Sequence, residues 1–236
     1  MNKPNKKIKY KIRRAAVDDV HQIMNVEKLA WPDGLTATEA MFRSRIETFP
    51  EGVLVAETPP DRTLIGVVVA EIINYDLQSP TNKTWYELTD NGNIRKTHDT
   101  RGQVLFGVDL SVVPAAQGRG IATHLLDEIG KLVLRRNLPY AMLGGRIPGF
   151  HKYAQEMSVE DYVKKTLPSG EFLDPELNFY IEAGLDVVKI VPNYFKDPES
   201  LDYGILLKYK NPVYQKNRIL GRIFGSIFGL VFKVRR

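Results

Sequence analysis

The residues best placed to do chemistry lie between Leu110 and Thr123: an apolar strand end, Leu110-Ser111-Val112-Val113-Pro114, a turn through Gln117-Gly118-Arg119-Gly120, and the start of an amphipathic helix. A strand–turn–helix junction aims free backbone N–H groups and the positive end of a helix dipole at one point, which suits a phosphate or pyrophosphate. Gly118 and Gly120 carry no side chain that would hold such a ligand off the main chain. Ile121, Ala122, Leu125, Leu126, Ile129, Leu132 and Val133 then recur on one helical face.

Three phosphate-loop chemistries compete for this junction. A nucleotide triphosphatase loop ends in Gly-Lys-Ser/Thr, which is absent. A dinucleotide loop needs a third glycine and an acid about 20 residues on. Position 123 is threonine, and the next apolar run, Tyr140 to Leu143, ends in Gly144-Gly145-Arg146. The third pattern, Gln/Arg-x-x-Gly-x-Gly/Ala, is met by Gln117, Gly120 and Ala122.

The elements that must hold this turn follow from periodicity and punctuation. Alternation predicts a first strand over 8–14, and Val17-Asp18-Asp19 opens a helix through Leu29 that Trp31-Pro32-Asp33-Gly34 ends. Thr36 is the expected cap of a second helix, with Glu39 closing a capping box. Strands are expected over 53–57 and 64–73, joined at Pro59-Pro60-Asp61-Arg62, and over 104–113. A helix over 118–136, a short strand over 140–143, a helix from Asp174-Pro175 to Glu182 closed by Gly184, and strands over 187–191 and 203–209 complete the order. Residues 74–101 and 144–172 read as polar, irregular insertions. The result is an α/β chain with helices on both faces of a sheet.

That order, together with the 110–114 strand end, the 117–122 loop and the segment Asn178-Phe179-Tyr180-Ile181-Glu182-Ala183-Gly184-Leu185, resembles the GNAT superfamily of N-acyltransferases. The last segment is similar to the family's Leu-Tyr-x-x-x-Gly-Phe signature, with Leu185 in place of Phe. The resemblance covers residues 8–210. Phe49 to Gly52, Thr97-His98, Gly144 to Phe150 and Val191 to Tyr194 resemble, more narrowly, the acyltransferase half of bacterial proteins fused to a carbon–nitrogen hydrolase.

The resemblance implies a mixed twisted sheet, acetyl-CoA as acyl donor, and direct transfer to a primary amine on a small molecule or protein. Main chain at Leu110, Val112 and Val113 would pair with the pantetheine arm. Backbone N–H groups across Gly118, Arg119, Gly120, Ile121 and Ala122 would hold the pyrophosphate, with side-chain bonds from Gln117 and Thr123. Tyr180 stands where the family places its general acid, and would protonate the departing thiolate. The residues themselves leave open whether Tyr180 anchors a core helix and whether Arg119 is a solvated loop residue.

Acyl transfer also needs a base for the attacking amine. Asp109 is the first candidate: strand alternation puts it with Gly107 and Ser111 on one face, beside the loop. The alternative is an aspartate that ties down a neighbouring loop. Glu71, interrupting an apolar strand, is held in reserve, with a solvent-facing acid as its alternative; His98 and His151 are weaker candidates in the two insertions. The family often carries an asparagine for pantetheine where this chain has Gly144-Gly145-Arg146, so either Arg146 substitutes or the acceptor loop is rebuilt. Trp31 to Thr36, Phe49-Pro50 and the insertions would shape the acceptor pocket.

Composition narrows the partners. At 236 residues the chain holds one sizeable core. It has no cysteine, which excludes disulfides and thiolate sites, and its four histidines lack metal-ligand spacing, so no metal is expected. Residues 1–14 carry seven Lys/Arg and residues 211–236 six, with no acid in either, so the central portion of this +5 chain stands at −8. Basicity confined to the ends argues against a nucleic-acid-binding core. The N-terminal run reads as a solvated end without an apolar signal segment, and the expected location is cytoplasmic.

The C-terminal segment, 211–236, reads as a basic amphipathic helix. Ile219, Ile223, Ile227 and Val231 repeat beside Leu220, Phe224, Phe228 and Phe232, and Gly221, Gly225 and Gly229 form a third stripe. Its apolar part is too short to span a bilayer. The readings are an interfacial helix on anionic lipid at the inner face of the membrane, a homodimer contact through the glycines, or a segment folded back on the core. The rival to catalysis is a non-catalytic acyl-CoA-binding or membrane-associated scaffold module; a longer acyl donor is a further variant.

Overall fold

The computed structural model describes residues 8–32 and 34–229. Strands β1 (Lys11–Arg14), β2 (Val53–Thr58), β3 (Thr63–Ile73), β4 (Val104–Val112), β5 (Tyr140–Gly145), β6 (Asp186–Val191) and β7 (Gly204–Lys210) form one sheet. Their spatial order is β1-β2-β3-β4-β5-β7-β6. Only β4 and β5 run parallel; every other neighbouring pair is antiparallel. The helices covering both faces are α1 (Val20–Ala30), α2 (Glu39–Thr48), α3 (Trp85–Leu88), α4 (Ile121–Arg136), α5 (Val159–Lys164), α6 (Pro175–Glu182) and α7 (Arg218–Gly229).

The feature that matters for function is the parting of β4 from β5. They pair only from Val104–Tyr140 to Gly107–Leu143. Beyond that point β4 stays with β3 to Val112, while Gly144 and Gly145 of β5 stay with β7. At the parting, Asp109 pairs with Val69 and Gly107 with Ala70, so Val108 is the extra residue of a bulge. A bulge bends and twists its strand, which helps β4 leave its neighbour. One apolar cluster packs β2–β4 against α1, α2 and α4 and takes in Met142, Val191 and Leu206 from β5–β7; a second packs Ile205 and Leu207 of β7 with residues of α5 and α6.

Several local expectations are corrected. Thr38, not Thr36, caps α2: its hydroxyl accepts the Met41 N–H at 3.2 Å, while Glu39 pairs with Arg43. The buried Glu27 carboxylate accepts the Ala37 N–H at 3.2 Å, which holds the chain extended up to the cap. Helix α4 starts at Ile121 rather than 118, because Gly120 is left-handed. The insertions contain the short helices α3 and α5, capped by Thr84 and Ser158. The N-terminal run is not simply solvated: Arg13 pairs with Asp19 at 2.6 Å and Glu57 at 2.6 Å, and Lys11 with Glu57 at 3.1 Å.

Helix α7 lies on the end of α4. A Cβ on Gly221 would fall on the Asn137 side chain, and one on Gly225 on the Leu134 carbonyl. Asn137, left-handed at the end of α4, also clamps the preceding segment: Nδ2 donates to Gln215 O at 2.7 Å, and Oδ1 accepts the Gln215 N–H at 3.0 Å. The glycine stripe therefore packs on this chain's own helix. Residues 230–236, with Val231, Phe232, Lys233, Arg235 and Arg236 of the expected tail, lie outside the described residues.

Candidate active site

The parting strands open a cleft of about 930 Å³ between β4, the glycine turn with the first turns of α4, β5 and α6. Leu110, Val112, Gln117, Gly118, Gly120, Ile121, Ala122 and Thr123 line it, as do Asp109 and Tyr180. Val113 and Arg119 do not. The Val113 N–H is already donated to Ile65 O at 3.1 Å. Successive peptide groups along a strand point to opposite edges, so this bond leaves Leu110 and Val112 facing the edge vacated by β5. In agreement, Val112 O accepts a bond from Gln117 Nε2 at 3.0 Å on that side. Gln117 thus braces the turn through its side-chain amide nitrogen.

Gly118 (φ +67°) and Gly120 (φ +77°) are both left-handed, and a Cβ at either would meet nothing within 4 Å. Glycine is needed here for the backbone path, and the open space in front of it leaves the α4 N-terminus accessible. A 16-residue helix behind that turn supplies the dipole.

Across the cleft, Asp174 caps α6, accepting the Glu176 and Leu177 N–H groups at 3.0 Å each; Pro175 occupies the first turn and Gly184 (φ +87°) ends it. Tyr180 on this helix packs against Gly145, where a Cβ would sit 3.1 Å from its ring. Burial, reinforced by the charge of Glu176, pushes its phenol well above the usual range, so it carries its proton at neutral pH. Gly144 is small for a related reason: the Tyr194 hydroxyl occupies the space of its Cβ. Arg146 is spoken for by Asp197 (2.8 Å), Glu199 (2.8 Å) and Glu176 (3.5 Å), and lies 5.4 Å from the Trp31 ring centroid. The loop after β5 is therefore rebuilt around an ion-pair network.

Asp109 does not stand alone on β4. Its Oδ2 pairs with Arg45 Nη1 at 3.0 Å, and its Oδ1 lies 3.1 Å from Ser111 Oγ. Arg45 is fully buried, donates from Nε to Gly92 O at 2.7 Å, and lies 4.6 Å from the Phe42 ring centroid. Ser111 Oγ also lies 2.5 Å from Glu27 Oε1 and accepts the Trp31 indole N–H at 2.7 Å. Burial together with the charge of Asp109 raises the Glu27 carboxyl to about 8.

Glu71 is buried too, contrary to a solvent-facing strand acid. It accepts the Thr97 hydroxyl at 2.8 Å, and burial raises it to about 8. It does not line the cleft. Phe49 and His98 are likewise core: their rings stack at 4.3 Å, and His98 Nδ1 accepts the Ile72 N–H at 3.1 Å. His151 sits outside the cleft against the carbonyls of Pro148 and Glu199. Of the residues expected around the acceptor, Trp31, Gly144 and Arg146 line the cleft. Glu27 and Arg45 escaped the sequence reading because α1, α2 and β4 meet only in the fold.

No protein-family model matches the chain. A curated relative from Bacillus subtilis (strain 168), the uncharacterized N-acetyltransferase YkwB, is 35% identical over 209 residues, covering 87% of this chain and 90% of its own. The chain belongs to the GNAT N-acetyltransferases. A second relative from the same organism, the probable hydrolase YhcX, is 31% identical over 204 residues. That alignment covers 86% of this GNAT chain but only 39% of YhcX. Among solved structures, the loading GNATL domain of CurA from Lyngbya majuscula superimposes with a TM-score of 0.74 at 22% identity, covering 86% of this chain and 98% of that one. The GphF GNAT-like decarboxylase in complex with isobutyryl-CoA gives 0.71 at 22% identity, with 85% and 98% coverage. At such identities the structural likeness speaks to the GNAT fold.

Proposed function

We propose that this chain transfers an acetyl group from acetyl-CoA directly to a primary amine. The observation that carries the reading is the cleft at the β4–β5 parting, which has the left-handed glycine turn at one end and Tyr180 and Asp109 on its walls. In this reading the N–H groups of residues 118–122 hold the pyrophosphate at the α4 N-terminus. Pantetheine pairs with the edge vacated by β5 at Leu110 and Val112, which directs the thioester toward the α6 wall. The amine attacks the thioester carbonyl carbon, forming the C–N bond as the C–S bond breaks. Asp109 takes the amine's proton and Tyr180 supplies one to the departing sulfur. Both residues line the same cleft, and the charge of Asp109 is felt at Tyr180. Holding both reactants in line supplies much of the rate. The acids around Arg146 and the net −8 of the central portion favour a cationic acceptor.

Thiol release from acetyl-CoA in the presence of a panel of primary amines tests this reading. Tyr180→Phe and Asp109→Asn should each slow transfer by about 100-fold while acetyl-CoA still binds. Unchanged transfer in both variants would remove the catalytic assignment, and binding without transfer to any amine would favour the acyl-CoA-binding module. Isobutyryl-CoA in the same assay tests the longer-chain donor.

We also propose that α7 rests on an anionic membrane surface. Its glycines are occupied by α4, while Ile223 and Phe228 are exposed beside Arg222. Two copies of a segment carrying six cations and no acid would repel each other, which disfavours a dimer through this helix.

A further inference from the structure

Ser111 sits at the centre of a hydrogen-bond cluster whose proton count is constrained by geometry. Its Oγ has three neighbours: Trp31 Nε1 at 2.7 Å, Glu27 Oε1 at 2.5 Å and Asp109 Oδ1 at 3.1 Å. An indole N–H only donates, and a hydroxyl has one proton to give. Two ionised carboxylates would therefore share a single proton, leaving one facing a lone pair across a hydrogen-bond distance. The cluster is saturated only with one more proton. Asp109 holds the Arg45 ion pair, whereas Glu27 has one further bond, from the Ala37 N–H. The extra proton therefore belongs on Glu27. Glu27 then donates to Ser111 and Ser111 donates to Asp109, which lines the cleft. Glu27 itself is 1% exposed and does not line it.

We infer that Glu27 is the final store for the proton that the attacking amine releases, reached from Asp109 through the Ser111 hydroxyl. This rests on the acyl-transfer reading above and assigns Glu27 a positioning role, since it acts through Asp109. The active form has Glu27 ionised and Ser111 donating to it. The amine proton passes to Asp109, the Asp109 proton to Ser111 Oγ, and the Ser111 proton to Glu27 Oε1. One N–H bond is lost and one O–H bond gained, with no other reactant. The charged groups facing Glu27 are Asp109 from β4, which opposes its ionisation, and Arg45 from α2, which favours it.

The proton store is tested without any acceptor by infrared spectroscopy of the carboxylic-acid carbonyl, in a background carrying Glu71→Gln and Glu176→Gln, which removes the other two carboxyls that burial raises well above the ordinary range. The band should disappear as pH rises through about 8 and be missing in the Glu27→Gln variant. A band that survives Glu27→Gln, or is lost in the ordinary carboxylate range, overturns the assignment. With acetyl-CoA and an accepted amine, kcat should rise with pH toward a plateau above about 8. Glu27→Gln should lose that limb and about 100-fold in kcat, with KM for acetyl-CoA unchanged. Ser111→Ala should behave like Glu27→Gln, and Ser111→Thr, which keeps the hydroxyl, should recover the limb. A wild-type pH profile in Glu27→Gln contradicts the relay. Failure of the wild type to bind acetyl-CoA would instead remove the functional reading, and the infrared titration would still decide where the proton resides.

Discussion

Two glycine-rich segments of this chain use the same residue for opposite ends. At 118–120 the glycines adopt positive φ and face open space, so they serve the backbone path and ligand access. At 221 and 225 they lie within a regular helix, and the place of each missing Cβ is filled by Asn137 or by the Leu134 carbonyl. The first pair keeps a surface bare; the second lets two helices close on each other. In sequence both look like spaced glycines beside apolar residues, and only their surroundings separate them. The buried carboxyls repeat the contrast: Asp109 has a guanidinium at 3.0 Å, whereas Glu71 has a threonine hydroxyl.

The largest expected effect comes from the carboxyl without an ion pair. Glu71 is raised from 4.5 to about 8 on folding. Below 4.5 it is protonated in both states. Between 4.5 and about 8 the unfolded chain releases this proton while the folded chain keeps it, so stability falls as pH rises, then levels off. Glu71→Gln should remove its share of that fall and stabilise the protein by on the order of 3 kcal/mol at pH 9, read from denaturant midpoints across pH. An unchanged slope would mean that Glu71 is not held neutral.

Next in size is Gly225→Leu, which drives a side chain into the α4 terminus. Overpacking of this kind should lower stability by roughly 1–3 kcal/mol and leave acetyl-CoA affinity unaltered. A weakened affinity would show that the two glycine regions are not independent. The smallest effect concerns the exposed side of α7. Ile223→Asp should reduce sedimentation with phosphatidylserine vesicles without changing the melting temperature, because Ile223 is 53% exposed. Equal sedimentation of both proteins would remove the membrane proposal.

The glycine-turn side of the cleft was legible in the sequence because it is local. The strand end, the turn, the α4 face, Asp174-Pro175 and Gly184 lie within short runs whose residue types have few other uses. The α3 helix was legible but missed: Thr84 and Glu87 form a capping box, with the Thr84 hydroxyl accepting the Glu87 N–H and the Glu87 carboxylate accepting the Thr84 N–H. The carboxyl cluster was not legible, since Glu27 and Ser111 stand 84 positions apart and Arg45 and Asp109 stand 64 apart. Nothing near Glu27 in α1 marks it as buried. The rebuilding at 144–146 was visible only as a departure, because Tyr194 and Asp197, which explain it, arrive from the segment after β6.

The central claim is that the glycine turn and the parted strands form an acetyl-CoA site. Calorimetric titration with acetyl-CoA tests it directly, using the wild type, Gly120→Ala and Gly120→Trp. Both substitutions impose the same backbone strain at a φ of +77°, with no neighbour of the missing Cβ within 4 Å. Alanine should therefore keep most of the affinity, and tryptophan, filling the space before the helix terminus, should abolish it. Equal binding by all three proteins would place the cofactor elsewhere and contradict the account.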